Sequence, residues 1–448
     1  MQQALRHHQM GQFSEAERIY LQALAIDPRH PDALHLLGMI AYQTGRDEAA
    51  VELIRKAIAI KGDAASYHSN LGNVLQAQGK LAEAGACYQR ALVLKPDLAE
   101  VHLNLGNVFK AQGDVDSSLA CYRRSLTLNP DSAEAAVAES MALLLKGDFA
   151  SGWKNFERRW QTRDYDTQMR TYAQPLWKGE QIAPGRFLIW GEQGIGDEIM
   201  FAGLIPDTMR TGNRCVLDCD PRLQPLFSRS FSDVDVVSGA DPASHPELEI
   251  AAHLPSGSLP GLFRNSTAAF EATTSPYLVA DPSAQSRFRA RYADGRKLVG
   301  LAWHTKNKKT GRSRSIDLAL LAPLFARPGL RWVSLQYGDS DTLEQQVRAA
   351  NAPVLIDPEV DQLSNIDDFA AQVAAMDLVI TIDNSTAHLA GALGVPTWVL
   401  LPFAPDWRWQ LNRTDSPWYP TMRLFRQTSL GDWPSVVREI EDALKRAP

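Results

Sequence analysis

A glycine recurs every 34 residues through the first third of this chain, at Gly45, Gly79, Gly113 and Gly147, with Gly11 one period earlier. Other positions keep the same spacing. Leu37-Gly38 returns as Leu71-Gly72 and Leu105-Gly106, Tyr20 as Ile54, Tyr88 and Tyr122, and Ala16 as Ala50 and Ala84. Pro28, Pro96 and Pro130 close their units, with Gly62 at the equivalent place. Within each unit the apolar spacing is helical, so the period predicts two helices joined by a glycine turn, the second stopped by proline. A fixed period of this length predicts stacked units that bury their faces against neighbours, which excludes a single globular core for this region.

The remainder is built differently. All 11 Trp lie between Trp153 and Trp433, and only four of the 26 Pro precede residue 150. The net charge of −6 gives no basic footprint over the whole chain and argues against nucleic acid as a partner. Four cysteines are too few for a disulfide framework, and Cys215-x3-Cys219 has no nearby His or Cys to complete a zinc set, so no metal site is expected. The opening MQQALRHHQMGQFSEAE has no apolar stretch of signal length, and no run of 18 apolar residues occurs. A soluble, cytoplasmic chain is expected, with the oligomeric state left open.

The repeats resemble the tetratricopeptide repeat, which implies an α-solenoid over residues 1–162, the first unit lacking most of its first helix. Its degenerate last unit starts near Ala133 and carries Trp153, Phe156 and Trp160, expected to dock the array onto the next domain. Such solenoids hold extended peptides on a concave face. Asn70 and Asn104 lie one period apart, as do Asn73 and Asn107, and their amides are able to both donate to and accept from a peptide backbone. This arrangement resembles the asparagine ladder of O-GlcNAc transferase, although Asn is common at these repeat positions in general. His68 and His102 also repeat and read as helix-surface or packing residues rather than metal ligands, and Cys87 and Cys121 as small core fillers.

After a connecting segment, 163–184, short apolar runs alternate with helix-length stretches. Residues 187–190, 215–218 and 233–237 read as strands of one α/β domain, 185–290. Residues 297–304, 331–338, 353–357, 377–383 and 396–402 read as strands of a second, 291–448, with 281–296 a polar connection. Strand–helix alternation implies parallel sheets covered on both faces, with ligands at the carboxyl ends of the strands.

Three segments there carry chemistry. Gly191-Glu192-Gln193-Gly194-Ile195-Gly196-Asp197-Glu198 follows the first strand. Gly194 and Gly196 allow close backbone approach, and Asp197 is either a favourable acid at a helix start or a base for an acceptor hydroxyl. Thr305–Ser315 follows the strand ending at His304 and carries Lys306, Lys308, Lys309, Arg312 and Arg314 without an acid, either a solvated loop or a phosphate site. Asp383-Asn384-Ser385-Thr386-Ala387-His388 ends a buried strand and opens a short helix. Asn384 or Ser385 suits its cap, and the free amides suit a diphosphate; capping does not account for His388.

Together these segments resemble family 9 glycosyltransferases, the bacterial heptosyltransferases, whose GT-B architecture sets two Rossmann-like domains about a cleft. The likeness covers roughly 185–425 and is best in Asp383-x4-His388-Leu389-Ala390-x-Ala392-Leu393-Gly394-x-Pro396. The heptosyltransferase Lys shortly before Trp-Pro is absent, and Asn-Ser-Thr follows Asp383 in place of a Gly-containing segment, which points to a different donor. Repeats ahead of such a domain resemble bacterial repeat-containing glycosyltransferases, including those implicated in flagellin glycosylation. The resemblance implies Asp197 as catalytic base. It implies donor binding by Gly194, Gly196, His304, Lys306, Lys308, Arg312, Arg314, Asp383, Asn384, Ser385, Thr386 and His388, and acceptor binding by Asn70, Asn73, Asn104 and Asn107. The expected activity is inverting, metal-independent transfer from a nucleotide sugar, with no further cofactor, to a protein acceptor such as flagellin Ser or Thr. A scaffold with a silent GT-B domain and a lipopolysaccharide glycosyltransferase are the alternatives. Trp407, Arg408 and Trp409 either line the cleft or pack.

Overall fold

In the computed structural model each 34-residue period forms a helix pair. The described residues are all except 164, 166, 168, 274, 308, 309, 447 and 448. The pairs are α1 Gln2–Gln9 with α2 Phe13–Ile26, α3 Pro31–Gln43 with α4 Asp47–Ile60, α5 Ala65–Ala77 with α6 Leu81–Leu94, and α7 Ala99–Ala111 with α8 Val115–Leu128. Two further helices come next, α9 Ala133–Lys146 and α10 Phe149–Phe156. Gly45, Gly79 and Gly113 turn each pair at φ +76°, +75° and +80°, a conformation that costs a side-chain-bearing residue energy. The next N–H then closes on the first helix, as Lys80 does on the Leu75 carbonyl at 2.9 Å.

The second glycine series serves close packing. A Cβ on Gly72 would stand 2.6 Å from Tyr88 Cε1, and one on Gly106 2.5 Å from Tyr122 Cε1. Both tyrosines are fully buried. Gly106→Ala is therefore expected to cost about 1–3 kcal/mol by overpacking. Gly85→Ala on α6 meets Val108 Cγ1 at an ordinary 3.5 Å and should gain about 0.5–1 kcal/mol of helix propensity. Urea unfolding followed by circular dichroism checks the opposite signs; equal effects would mean that the Tyr contact does not set the spacing.

The chain divides into two compact units, Met1–Ala142 and Leu143–Pro448. The division falls inside α9, ahead of residue 162, because Trp153 and Phe156 pack within the second unit, with Trp407 5.3 and 6.1 Å from their ring centres.

The second unit contains two sheets of parallel strands. The first has β1 Arg186–Trp190, β2 Cys215–Asp218, β3 Asp235–Val237 and β4 Ile250–Pro255 in the order β3-β2-β1-β4. The second has β5 Lys297–Ala302, β6 Leu330–Ser334, β7 Val354–Leu355, β8 Leu378–Ile382, β9 Thr397–Leu401 and β10 Met422–Arg426 in the order β10-β9-β8-β5-β6-β7. Central strands such as β8 are buried throughout, as continuous apolar runs in parallel sheets are. The sequence reading lacked β4 and β10. Alanines and His253 dilute the apolar signal of β4, and β10 sits at an edge where arginines flank Leu424 and Phe425.

Four helices of this unit frame the strand ends or the core: α11 Ile195–Ala202, α12 Pro282–Tyr292, α13 Ser385–Ala392 and α14 Trp433–Arg446. Residues 281–296 were expected to be a polar connection, and the structure corrects this. Asp281 caps α12, whose Ala284, Phe288 and Tyr292 recur every four residues and are buried, while Arg287, Arg289 and Arg291 on or beside that face mask the periodicity. The amphipathic α14 places Trp433, Val436, Val437 and Ile440 in the core of the second sheet.

Strand order locates the site. In the first sheet, connections leave β1 toward β2 on one side and β4 on the other. In the second they leave β5 toward β6 and β8. Open α/β sheets bind ligands at the carboxyl ends of the strands where connections diverge in this way. The segments after β1, β5 and β8 are the three singled out from the sequence.

Candidate functional site

The segments after β1 and β8 meet. Helix α11 starts at Ile195, directly after Gly194, and α13 starts at Ser385 with Asn384 as its cap, Asn384 Oδ1 accepting the Ala387 N–H at 3.2 Å. The two helix starts touch at Gly196, where a Cβ would lie 3.3 Å from His388 Cδ2 and 3.4 Å from Ser385 Cα. Tyr277 fixes this contact from both sides. Its hydroxyl donates to the Ile199 carbonyl of α11 at 2.9 Å, and its N–H donates to the Ala392 carbonyl of α13 at 3.1 Å.

Around the junction lies a cluster of ionised side chains. Arg408 pairs with Asp197 and donates to Asp406 Oδ1 at 2.6 Å. Arg314, at the end of the basic loop, stands 3.4 Å from Asp383 Oδ2 and 3.8 Å from Asp406 Oδ2. Burial raises the Asp383 carboxyl above its ordinary value. Burial also pushes Asp406 up, but Arg408 and Arg314 outweigh it and hold that carboxyl low. Three acids thus face two guanidinium groups, and Asp383 is more readily neutralised than Asp406. Three buried polar atoms at the start of α13, Asp383 Oδ2, Asn384 Nδ2 and Thr386 Oγ1, have no hydrogen-bond partner among the described residues. The Asn384 amide and Thr386 hydroxyl donors are costly unless something binds them, and together with the helix N–H groups they make a cradle suited to an anion, while Arg314 faces the Asp383 carboxylate beside it.

His388 lies beneath this cradle. Its Nδ1 meets the Tyr419 hydroxyl at 3.0 Å and its ring stacks on Trp409 at 5.4 Å. Burial, then the charge of Arg408, lower it to about 3. The unfolded chain takes up a proton near the ordinary 6.5 and the folded chain does not, so stability contributed by His388 falls as pH drops from 6.5 toward 3. Between about pH 6.5 and 4.5 the protein is expected to lose about 2–3 kcal/mol more than His388→Asn does. Comparing the two proteins removes the opposite-signed contributions of Asp383 and Glu198. Urea unfolding at the two pH values reads the difference, and equal losses would place His388 in contact with water.

The adjacent acids after β1 have separate environments. Asp197 faces Arg408, whereas Glu198 turns toward β2 and accepts the Asp220 N–H at 2.9 Å; burial pushes its carboxyl up to about 7. Glu192 is fully buried and holds the loop. Its Oε1 accepts Gly257 N–H at 2.6 Å and Arg159 Nη2–H at 2.8 Å, and its Oε2 accepts Arg159 Nε–H at 3.0 Å.

The other expected site residues are distributed differently. His304, Lys306 and Arg312 are exposed and make no side-chain hydrogen bond or ion pair among the described residues; Lys308 lies outside them. Backbone contacts fix the root of that loop: Gln336 Oε1 accepts the N–H groups of Trp303 and His304, and the Lys306 N–H donates to the Tyr337 hydroxyl at 2.8 Å. In the repeats the asparagines are half-buried and partly engaged. Asn73 Oδ1 accepts from the Tyr88 hydroxyl at 2.8 Å and from Asn104 Nδ2 at 3.1 Å. Asn107 Oδ1 accepts from the Tyr122 hydroxyl at 2.9 Å, and Asn70 Nδ2 meets His35 Nε2 at 2.8 Å. Part of the ladder therefore serves the repeat itself, leaving the Asn73 and Asn107 amide donors for another chain.

Sequence reasoning left Trp407, Arg408 and Trp409 open between cleft and packing. Both tryptophans are buried, and Arg408 between them reaches Asp197. Its signal was position: it comes after β9 at the same strand-end level as the other segments. Cys215 and Cys219 are free and buried, burial pushing the Cys215 thiol up to about 12, which makes it unreactive.

Family models match within the first unit, whereas one curated relative matches over a stretch too long to be confined to it. Families described as "Tetratricopeptide repeat" match residues 7–72 and 99–132, and one described as "TPR repeat" matches 72–113. Protein FlbA of Caulobacter vibrioides is 31% identical over 336 residues, 69% of this chain and 54% of FlbA. The chain thus spans about half the length of that curated relative. Among solved structures, MamA covers 35% of this chain and 91% of its own at 24% identity and a TM-score of 0.33. PilF of Pseudomonas aeruginosa covers 35% and 73% at 25% identity and a TM-score of 0.34. Residues 7–132 are a run of tetratricopeptide repeats, followed in the same chain by an α/β region of parallel sheets.

Proposed function

We propose that the second unit is a GT-B glycosyltransferase that moves a sugar from a nucleotide-activated donor to a hydroxyl of a protein acceptor, with inversion. The observation that carries this reading is the meeting of Asp197 with the start of α13 at the carboxyl ends of two parallel sheets. Asp197 takes the proton of the acceptor hydroxyl as its oxygen bonds to the anomeric carbon. The bond from that carbon to the donor phosphate breaks, and the nucleoside diphosphate leaves with the electron pair. Arg314, the α13 N–H groups and the Thr386 hydroxyl meet the developing charge, a task this reading gives to protein cations and dipoles rather than a metal. Lys306, Lys308, Arg312 and His304 would draw the donor to the mouth of the site, with Gly194 and Gly196 admitting it close to the backbone.

In this reading the repeats hold an extended segment of the acceptor through Asn70, Asn73, Asn104 and Asn107. A groove beside Asn70, lined by Ser66, Ser69, Lys95 and Glu100, has room for peptide side chains of either charge. We take the reaction to be cytoplasmic, since all four cysteines are unpaired. Flagellin Ser or Thr is the proposed acceptor. Mass spectrometry of flagellin and other surface proteins, with and without the gene, tests it. A sugar mass lost from flagellin is the expected result. Unchanged proteins with altered lipopolysaccharide would move the acceptor to lipid, and no change in either would leave the scaffold reading.

A further inference from the structure

We propose that the Arg408 guanidinium is handed from Asp197 to the donor's diphosphate, so that the base is released for the acceptor only once the donor is in place. This rests on the transferase reading and assigns that site an order of binding.

Both oxygens of Asp197 have partners in the structure. Oδ1 accepts from Arg408 Nη2, and Oδ2 receives the Gly194 N–H at 3.4 Å. A carboxylate clamped by a guanidinium is a poor acceptor for a hydroxyl proton, so base catalysis requires the Arg408 contact to open. The arginine is placed to leave. Its backbone is anchored by a short turn, Trp407–Trp409, in which the Asp406 carboxylate accepts the Arg408 N–H at 3.1 Å and both tryptophans are buried. Its guanidinium lies over the Trp407 ring, 4.6 Å from the centroid, which provides a face along which it turns.

The destination is the cradle at the start of α13. Arg314 already stands there, at 3.4 and 3.8 Å from Asp383 and Asp406, too long for saturated hydrogen bonds. The partnerless Asn384 Nδ2 and Thr386 Oγ1 point to an anion at the same place. The groups facing Arg408 are Asp197, Asp406, Asp383, Arg314, His388 and Tyr419, and none is a cation able to replace it on a diphosphate except Arg314. A diphosphate carries more charge and more acceptor oxygens than one carboxylate, so it outcompetes Asp197 for the guanidinium. The freed Asp197 oxygen then accepts the hydroxyl proton while Arg408 meets the charge on the leaving diphosphate. The proton ends on Asp197, the new bond joins acceptor oxygen to anomeric carbon, and the electron pair leaves with the diphosphate.

Calorimetric titration of the full chain with inorganic pyrophosphate tests this. Asp197→Asn removes one of the two carboxylates that hold Arg408, leaving Asp406, with little change of shape and should tighten pyrophosphate about threefold to tenfold. Arg408→Gln should weaken it about tenfold, and Arg408→Lys, which keeps the charge, should fall between. In the Arg408→Gln background, Asp197→Asn should have no further effect. Unchanged affinity in Asp197→Asn, or the same tightening with Arg408→Gln present, overturns the hand-over while leaving the transferase reading intact. If pyrophosphate binds neither the unaltered chain nor Asp197→Asn, both fall together.

Discussion

Asp197→Asn is expected to reduce kcat by at least about a hundredfold, the usual size of a lost general base, while the donor still binds. The substitution keeps the shape of the side chain and removes both its capacity to take a proton and its charge on Arg408; the latter should tighten donor binding rather than weaken it, so a lost rate reports the missing base. The neighbouring acids do not replace it: Glu198 turns toward β2, where the Asp220 N–H occupies one oxygen, and Glu192 is sealed against Arg159. Single-turnover measurement with bound donor isolates the chemical step from binding. A rate within about threefold of the unaltered protein would remove Asp197 from the base role.

Arg159→Ala is expected to be the most destabilising single change in the second unit, at about 3–5 kcal/mol. The guanidinium is fully buried, lies 4.6 and 4.5 Å from the Phe156 and Trp160 ring centres, and spends its donors on Glu192, Ser258, Glu157 and the Phe156 carbonyl. Its removal leaves the Glu192 carboxylate buried with the Gly257 N–H and the Tyr165 hydroxyl but no compensating charge. Adding Glu192→Gln should recover part of the loss, since the uncompensated charge goes too. Urea unfolding measures both. A cost below about 1 kcal/mol for Arg159→Ala would show that water reaches this pair. Because Glu192 anchors the loop that presents Asp197, activity should fall with stability in the single variant and return in part in the double.

The repeats were legible because each glycine, tyrosine and proline performs the same local task every 34 residues. The continuous apolar strands β1, β5, β8 and β9 were legible for a related reason: burial on both faces writes an uninterrupted run. What escaped was written in longer-range terms. Strand β4 is set by pairing with β1, and α12 hides its buried face among arginines. In the site, Asp197, Asp383 and His388 stood in segments with recognisable turn chemistry. Arg408 did not, because its partner is 211 positions away in sequence and only the meeting of two sheets brings them together. The Asn residues show the converse: the periodicity was plain, but the tyrosine hydroxyls that occupy Asn73 and Asn107 are visible only once the helices are packed.

Everything proposed for the second unit depends on the junction of α11 and α13 binding an activated sugar. Calorimetric titration of the full chain with a panel of nucleotide sugars tests this most directly. At least one is expected to bind, and saturation at about a hundred times its Kd should stabilise the protein by about 2.7 kcal/mol. A panel in which no nucleotide sugar binds or stabilises the chain would contradict it.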